Sequence, residues 1–137
     1  NILKTSKKRN IVEKNLIKIC FKKKIPILGI CRGAQLLNKS FGGKISKIKK
    51  HMRTRHNIFF TNREFIKKNF LNVNSFHNDG IKKNDLSKSF KVLASDKHKN
   101  IEMFISNNKK IIGTMWHPER EKNTLLLDIL INYLNKK

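Results

Sequence analysis

Residues 25–43 read IPILGICRGAQLLNKSFGG, and the fold turns on this stretch. Ile25-Pro26-Ile27-Leu28 is an apolar run of the length expected for a buried parallel strand, and Pro26 suits a strand's first residues. Gly29-Ile30-Cys31-Arg32-Gly33 predicts a sharp turn, and Ala34-Gln35-Leu36-Leu37-Asn38 a helix start. The helix should end near Phe41, with Gly42-Gly43 as its stop. Glycine two residues before and two residues after a cysteine is the composition of a nucleophile elbow. A side chain on a tight strand-to-helix turn needs neighbours that let the backbone pass close on both sides. The helix N-terminus behind Cys31 favours its thiolate. A buried structural cysteine at the end of a core strand fits the same five residues, and the local pattern leaves both readings open.

The far end of the chain separates them. Residues 111–116, IIGTMW, read as a second buried strand, followed at once by His117-Pro118-Glu119. A cysteine nucleophile needs a base, and the base needs an orienting group. His117 offers the imidazole and Glu119 the carboxylate, with Pro118 fixing φ between them. Both sit just past a strand end, where an open α/β sheet keeps its ligands. Alone, the tripeptide reads as a solvated turn; with the cysteine elbow it reads as base and orienter.

GICRGAQ, then Gly42-Gly43, then MWHPE resemble class I glutamine amidotransferases, closest to the γ-glutamyl hydrolase branch, peptidase family C26. Val73-Asn74-Ser75-Phe76-His77 resembles that branch's VNSxH segment, and the similarity runs from about Arg9 to the C-terminus. The resemblance implies an α/β, flavodoxin-like, open and mostly parallel sheet with flanking helices. It implies Cys31, His117 and Glu119 as a catalytic triad. Gln35, His77, Asn78 and Asp79 fall at family positions that contact the substrate, although many relatives have Gln or an aromatic where Asp79 stands. The Arg32 N–H, directly after the nucleophile, is a candidate oxyanion donor. In the family a second donor comes from a Gly-rich loop in preceding strands. The chain begins at Asn1, so the expectation is a partial domain, residues 1–137, lacking those N-terminal strands. Arg9 and Glu13 are similar to the start of the helix before the elbow strand in this branch. No metal or organic cofactor is called for.

Length and composition set outer bounds. At 137 residues the chain is one domain or part of one. The net charge of +23 raises nucleic-acid binding as a possibility, and residues 1–63 hold eighteen Lys/Arg against one acid, Glu13. Most of that charge is Lys scattered over helix faces and loops, without an aromatic-interleaved basic motif, which favours a solvated surface. Such a surface would still suit an anionic substrate such as a nucleotide conjugate. Cys20 and Cys31 suggest no disulfide framework, so a reducing, cytoplasmic compartment is expected. No run reaches membrane-spanning length and no signal peptide is evident.

Along the rest of the chain, residues 4–9 read as basic and irregular. Ile11, Val12, Leu16, Ile17, Ile19 and Cys20 recur at helical spacing, predicting an amphipathic helix over 10–23 packed on the sheet. Residues 44–55 show no period. His51 and His56, without nearby Cys or acids, make a poor metal site and read as surface or loop-packing residues. The resemblance gives the strand at 56–60 a structural role. Residues 62–69 predict a turn or linker and 70–76 a half-buried alternating strand. Residues 77–80 predict a turn. Strands are expected at 90–94, 101–105 and 110–116, the last two as a hairpin-like pair. Trp116 reads as packing beside the site, and residues 124–134 as a helix with one apolar face.

Three functions follow from these readings. The first is a Cys-His-Glu hydrolase of γ-glutamyl amide bonds, alone on a small γ-glutamyl conjugate or as a glutaminase passing ammonia to a synthase partner. The second is a truncated, catalytically silent amidotransferase-like binding domain. The third, nucleic-acid binding, rests on charge alone.

Overall fold

The computed structural model describes residues 2–61, 66–108, 110–122 and 125–135. Helix α1 (Ile2–Lys22) leads into β1 (Ile27–Ile30), followed by α2 (Arg32–Ser40), β2 (Ser46–Lys47), β3 (Thr54–Phe60) and β4 (Phe70–Ser75). Strands β5 (Asp79–Lys82), β6 (Phe90–Asp96), β7 (Asn100–Ser106) and β8 (Ile111–Thr114) complete the sheet, and α3 (Leu125–Asn135) closes the chain. The strand order is β1-β8-β7-β6-β3-β4, with β5 pairing both β7 and the short β2.

The sheet is mixed. Only β1 and β8 pair in parallel among the described strands, Ile27 opposite Ile111 and Ile30 opposite Thr114; every other pairing is antiparallel. A mostly parallel sheet therefore overstates what these residues build. The two apolar runs that read most clearly in sequence are the parallel pair: β8 is buried throughout, as a strand covered on both faces is, while β1 is buried at Gly29 and half-buried elsewhere. The antiparallel ribbon forms where hairpins do, and Asp96 makes the tightest: its Oδ1 accepts from the N–H groups of His98 and Asn100 at 2.8 Å each. Two clusters fill the faces. Met103, Ile112, Trp116, Leu130 and Leu134 belong to one, and Leu37, Ile81, Phe90, Phe104 and Met115 to the other. Trp116 is fully buried in the first, as a packing residue should be.

Several boundaries move. Helix α1 absorbs the basic segment expected to be irregular, since Lys and Arg are good helix formers. Residues 79–80 belong to β5, leaving only 77–78 outside regular structure. Strand β4 does not alternate: Val73, Asn74 and Ser75 are buried in succession because loops and side chains cover both faces there. Residues 62–65 of the expected linker and Thr124 of the expected last helix lie outside the described residues.

The largest departure concerns α1. Its apolar stripe is not packed on the sheet: Ile11 is 61% exposed, Val12 66%, Leu16 58% and Ile19 51%. Ile17 alone of the stripe joins a core cluster. Polar contacts hold the helix instead. The Arg32 guanidinium donates to Glu13 Oε2 at 2.6 Å and to Asn10 Oδ1 at 2.5 Å, while Arg9 Nε donates to Glu13 Oε1 at 2.7 Å. Phe21 adds an edge-on contact with Phe41. No helix of the described residues is long and apolar enough to cross a membrane.

Candidate active site

Cys31 sits at the hinge between β1 and α2, with φ 49° and ψ −104°. A non-glycine residue there is outside the ordinary allowed regions, a conformation that costs about 1–3 kcal/mol and persists only where the surroundings enforce it. The enforcement is visible. The Cys31 N–H donates to the Thr114 carbonyl at 2.7 Å, extending the parallel ladder one residue past β1, and Gln35 N–H closes the first turn of α2 onto the Cys31 carbonyl at 3.1 Å. Gly29 is required: a Cβ there would overlap the Leu37 side chain and lie 3.0 Å from both Ala34 N and Gly33 C. Gly33 is different. A Cβ there meets nothing within 4 Å, so the close approach expected on both sides of the cysteine exists on one side only.

The thiol does not carry the depressed pKa expected of a helix N-terminus. Burial pushes the Cys31 thiol above its ordinary value, and the hydrogen bond from the Arg32 N–H works against that shift without overcoming it. Glu102 and Glu119 add to the rise and Arg120 opposes it. Desolvating a thiolate at a half-buried turn outweighs one N–H group. The raised pKa favours the protonated thiol at neutral pH.

Because β1 and β8 are parallel and in register, the residues after each emerge at the same end of the sheet. Cys31 follows β1, and His117 follows β8 by three residues, opening the 3-10 turn Pro118–Arg120. His117 Nδ1 lies 2.6 Å from Glu119 Oε1, so the carboxylate accepts the Nδ1 proton and leaves Nε2 as the free base. His117 is mostly covered, and Phe76 meets its ring edge-on at 5.8 Å between centroids. The Arg120 guanidinium lies over the Phe76 ring, 5.1 Å from its centroid.

Asn74, which no sequence argument singled out for itself, fixes His117 from behind. Its Oδ1 accepts the His117 N–H at 3.0 Å, and its Nδ2 donates to the His117 carbonyl at 2.8 Å and to Glu121 Oε1 at 2.7 Å. A side-chain amide paired with both backbone groups of one residue mimics a strand, and it sets where the imidazole points. The signal was the VNSFH segment itself, but only the fold shows what its asparagine grips.

Two of the expected substrate-contact residues, Gln35 and His77, converge on the carbonyl of a third, Asp79. Gln35 Nε2 donates to the Asp79 oxygen at 2.8 Å, and His77 Nδ1 lies 3.0 Å from the same atom. Gln35 thus ties the elbow helix to the segment 77–79. The Asn78 carbonyl accepts from Ile48 N–H at 3.0 Å, and the Asp79 carboxylate pairs with exposed Lys47 at 2.8 Å. The His77 ring turns inward: it is 4% exposed, and burial together with the neighbouring His51 lowers its pKa to about 4. His51, expected at the surface or in loop packing, is buried too. Its Nε2 lies 3.0 Å from Asp96 Oδ2, and His56 packs on its ring at 4.5 Å between centroids. Burial would raise the Asp96 pKa, but the His51, Asn100 and His98 hydrogen bonds hold it at about 2.

Comparison with known proteins identifies the fold and the family. A glutamine amidotransferase from Thermotoga maritima superimposes with a TM-score of 0.69 at 24% identity, over 88% of this chain and 51% of its own, which establishes the flavodoxin-like amidotransferase fold. Residues 2–119 match the family model of peptidase C26. The chain therefore belongs to the peptidase C26 family of class I glutamine amidotransferase-like proteins. It is 42% identical over 125 residues to the γ-glutamyl-CDP-amidate hydrolase of Campylobacter jejuni, covering 91% of this chain and 58% of that protein. It is 29% identical over 123 residues to a glutamine-hydrolysing GMP synthase subunit of Methanocaldococcus jannaschii, covering 88% of this chain and 64% of that protein. The chain thus spans less than two thirds of the length of either relative.

Proposed function

We propose that the chain carries the catalytic half of a hydrolase of γ-glutamyl amide bonds. The observation behind this reading is one geometry: a cysteine strained at a strand-to-helix turn and an imidazole oriented at 2.6 Å by a carboxylate, delivered by adjacent parallel strands. His117 Nε2 removes the proton of the neutral Cys31 thiol as sulfur attacks the side-chain carbonyl of the γ-glutamyl group. The Arg32 N–H, already directed at the sulfur, stabilises the oxyanion. His117 returns its proton to the leaving nitrogen, and a γ-glutamyl thioester remains on Cys31. Water, deprotonated by His117, releases glutamate. Glu119 stabilises the imidazolium and holds its tautomer throughout. Gly33 leaves open space beside the sulfur for the acyl group.

The substrate class is a small γ-glutamyl conjugate with an anionic leaving amine, in keeping with the net charge of +23 and with the Campylobacter relative's name. A second reading draws on the GMP synthase relative: a glutaminase that hands ammonia to a synthase partner. A compartment that keeps Cys31 reduced, such as the cytoplasm, suits either.

The test is glutamate release from glutamine and from γ-glutamyl amines and nucleotide amidates. It is run on this chain and on the product of the full reading frame, each beside its Cys31→Ala variant. Release from a conjugate, abolished in Cys31→Ala, supports the hydrolase. Release from glutamine only when a synthase is added supports the second reading. A folded full-length product silent on every substrate and with every synthase refutes both and leaves a binding domain.

A further inference from the structure

Five titratable side chains that the thiol chemistry does not use gather in one cluster: His51, His56, His77, Asp96 and Glu102. Glu102, on β7, is fully buried, and neither of its oxygens has a hydrogen-bond partner. One atom each of His51, His77 and Glu102 lies within 4.8 Å of the others.

Hydrogen-bond partners fix the tautomers. His51 Nε2 faces the Asp96 carboxylate at 3.0 Å, so it carries a proton, and in the neutral ring Nδ1 is bare. His77 Nδ1 faces the Asp79 carbonyl at 3.0 Å, an acceptor only, so it carries the proton and Nε2 is bare. Both bare nitrogens are buried without a hydrogen-bond partner and point toward Glu102 Oε1, at 3.4 Å and 4.0 Å. His56 Nε2 joins them at 3.4 Å from the same oxygen. Acceptors that converge in a dry space repel one another unless a cation or a proton lies between them.

We propose that His51, His77 and Glu102 form a buried structural Zn2+ site, with His56, whose Nε2 lies 3.4 Å from the same Glu102 oxygen, as its fourth ligand. Tetrahedral zinc with bonds of about 2.0–2.1 Å holds its ligand atoms about 3.3 Å apart; His51 Nδ1 and His56 Nε2 lie near that distance from Glu102 Oε1, at 3.4 Å each, and His77 Nε2, at 4.0 Å, must close in on an ion. Imidazole with one carboxylate suits zinc and not calcium or magnesium, which take oxygen ligands. The outer shell is in place: a carboxylate on His51 and a backbone carbonyl on His77 orient the rings as metal-bound histidines are oriented. The ligands come from the segment before β3, from β3 itself, from the junction of β4 and β5, and from β7. An ion there cross-links them and anchors His77, next to Asn78 and Asp79. It supplies no group that reacts with the thiol, though an ion on Glu102 offsets a charge that raises the Cys31 pKa, and its test reads metal binding rather than hydrolase activity.

A cleft of about 430 Å³ reaches His51, His56 and Asp96, but Lys49, Lys50 and Lys97 line it. Their charge repels a free cation, so the ion enters while the chain folds. The test loads it accordingly. The full-length protein is expressed with zinc and purified without chelator, and its metal content is measured by mass spectrometry. A second sample is unfolded in chelator and refolded with Co2+, and the visible d–d absorption is recorded. We expect about one Zn2+ per chain and the intense bands of tetrahedral cobalt with nitrogen and oxygen ligands. His51→Ala and Glu102→Gln should lose both, and Cys31→Ala should keep both, which removes the thiolate from the ligand set. The cobalt spectrum of the parent protein decides the matter even if the ligand variants do not fold. A folded parent that carries no zinc from expression and shows no cobalt bands overturns the proposal, and a proton on Glu102 or His56 then holds the cluster.

Discussion

Asn74→Ala tests whether the base is positioned from behind. The substitution removes three side-chain hydrogen bonds at once, two to the His117 backbone and one to Glu121. Neutral hydrogen bonds contribute about 0.5–1.5 kcal/mol each and one to a charged group about 1.5–3, so the variant should lose about 2.5–6 kcal/mol before relaxation. The Asn74 N–H still donates to Glu121 Oε1 at 3.1 Å, which limits the loss to the lower part of that range. Stability is read by urea unfolding of the full-length protein. The activity effect should exceed the stability effect under conditions where the variant is folded: displacing a catalytic group by about 1 Å costs about a hundredfold in rate. kcat for glutamate release should therefore fall by about that factor, with KM little changed. Asn74→Asp keeps the acceptor for the His117 N–H but sets a carboxylate against Glu121, and should be at least as damaging. An Asn74→Ala protein with parental kcat and a stability loss under about 0.5 kcal/mol would refute the clamp, since surface substitutions alone stay within that range.

Other expectations follow from the same geometry. In a Cys20→Ser background, alkylation of Cys31 should accelerate steadily as pH rises through neutrality. Its raised pKa leaves mostly thiol there, and each pH unit below the pKa multiplies the thiolate about tenfold; a rate that is flat with pH around 7 would instead reveal a preformed thiolate. Gly29→Ala should destabilise by about 1–3 kcal/mol because its methyl meets Leu37 and the backbone of α2. Gly33→Ala should stabilise by about 0.5–1 kcal/mol as a helical alanine yet lower activity, and thermal melts beside initial rates separate the two. Glu13→Gln should loosen α1, seen as faster amide exchange over Arg9–Leu16, because Glu13 bridges Arg9 and Arg32. The exposed stripe of Ile11, Val12, Leu16 and Ile19 should make this chain bind a hydrophobic dye, and Leu16→Lys should reduce the signal.

What the sequence by itself determined is local. GICRG at the end of an apolar run and HPE at the end of another announce a strained turn and an oriented imidazole, because those features are made by residues adjacent in the chain. The family follows from the order of these motifs, and so does the flavodoxin-like fold. Tertiary structure alone decided the rest. Parallel register between Ile30 and Thr114 brings Cys31 and His117 to one end of the sheet across 86 residues of chain. The grip of Asn74 on His117 spans 43 positions, and the union of His51 with Asp96 spans 45. No local spacing encodes such contacts, so two histidines five apart looked like surface residues until β7 placed Glu102 beneath them. Helix α1 shows the converse. Its apolar period is real, but periodicity states only which residues share a face, and what that face meets depends on the elements folded around it.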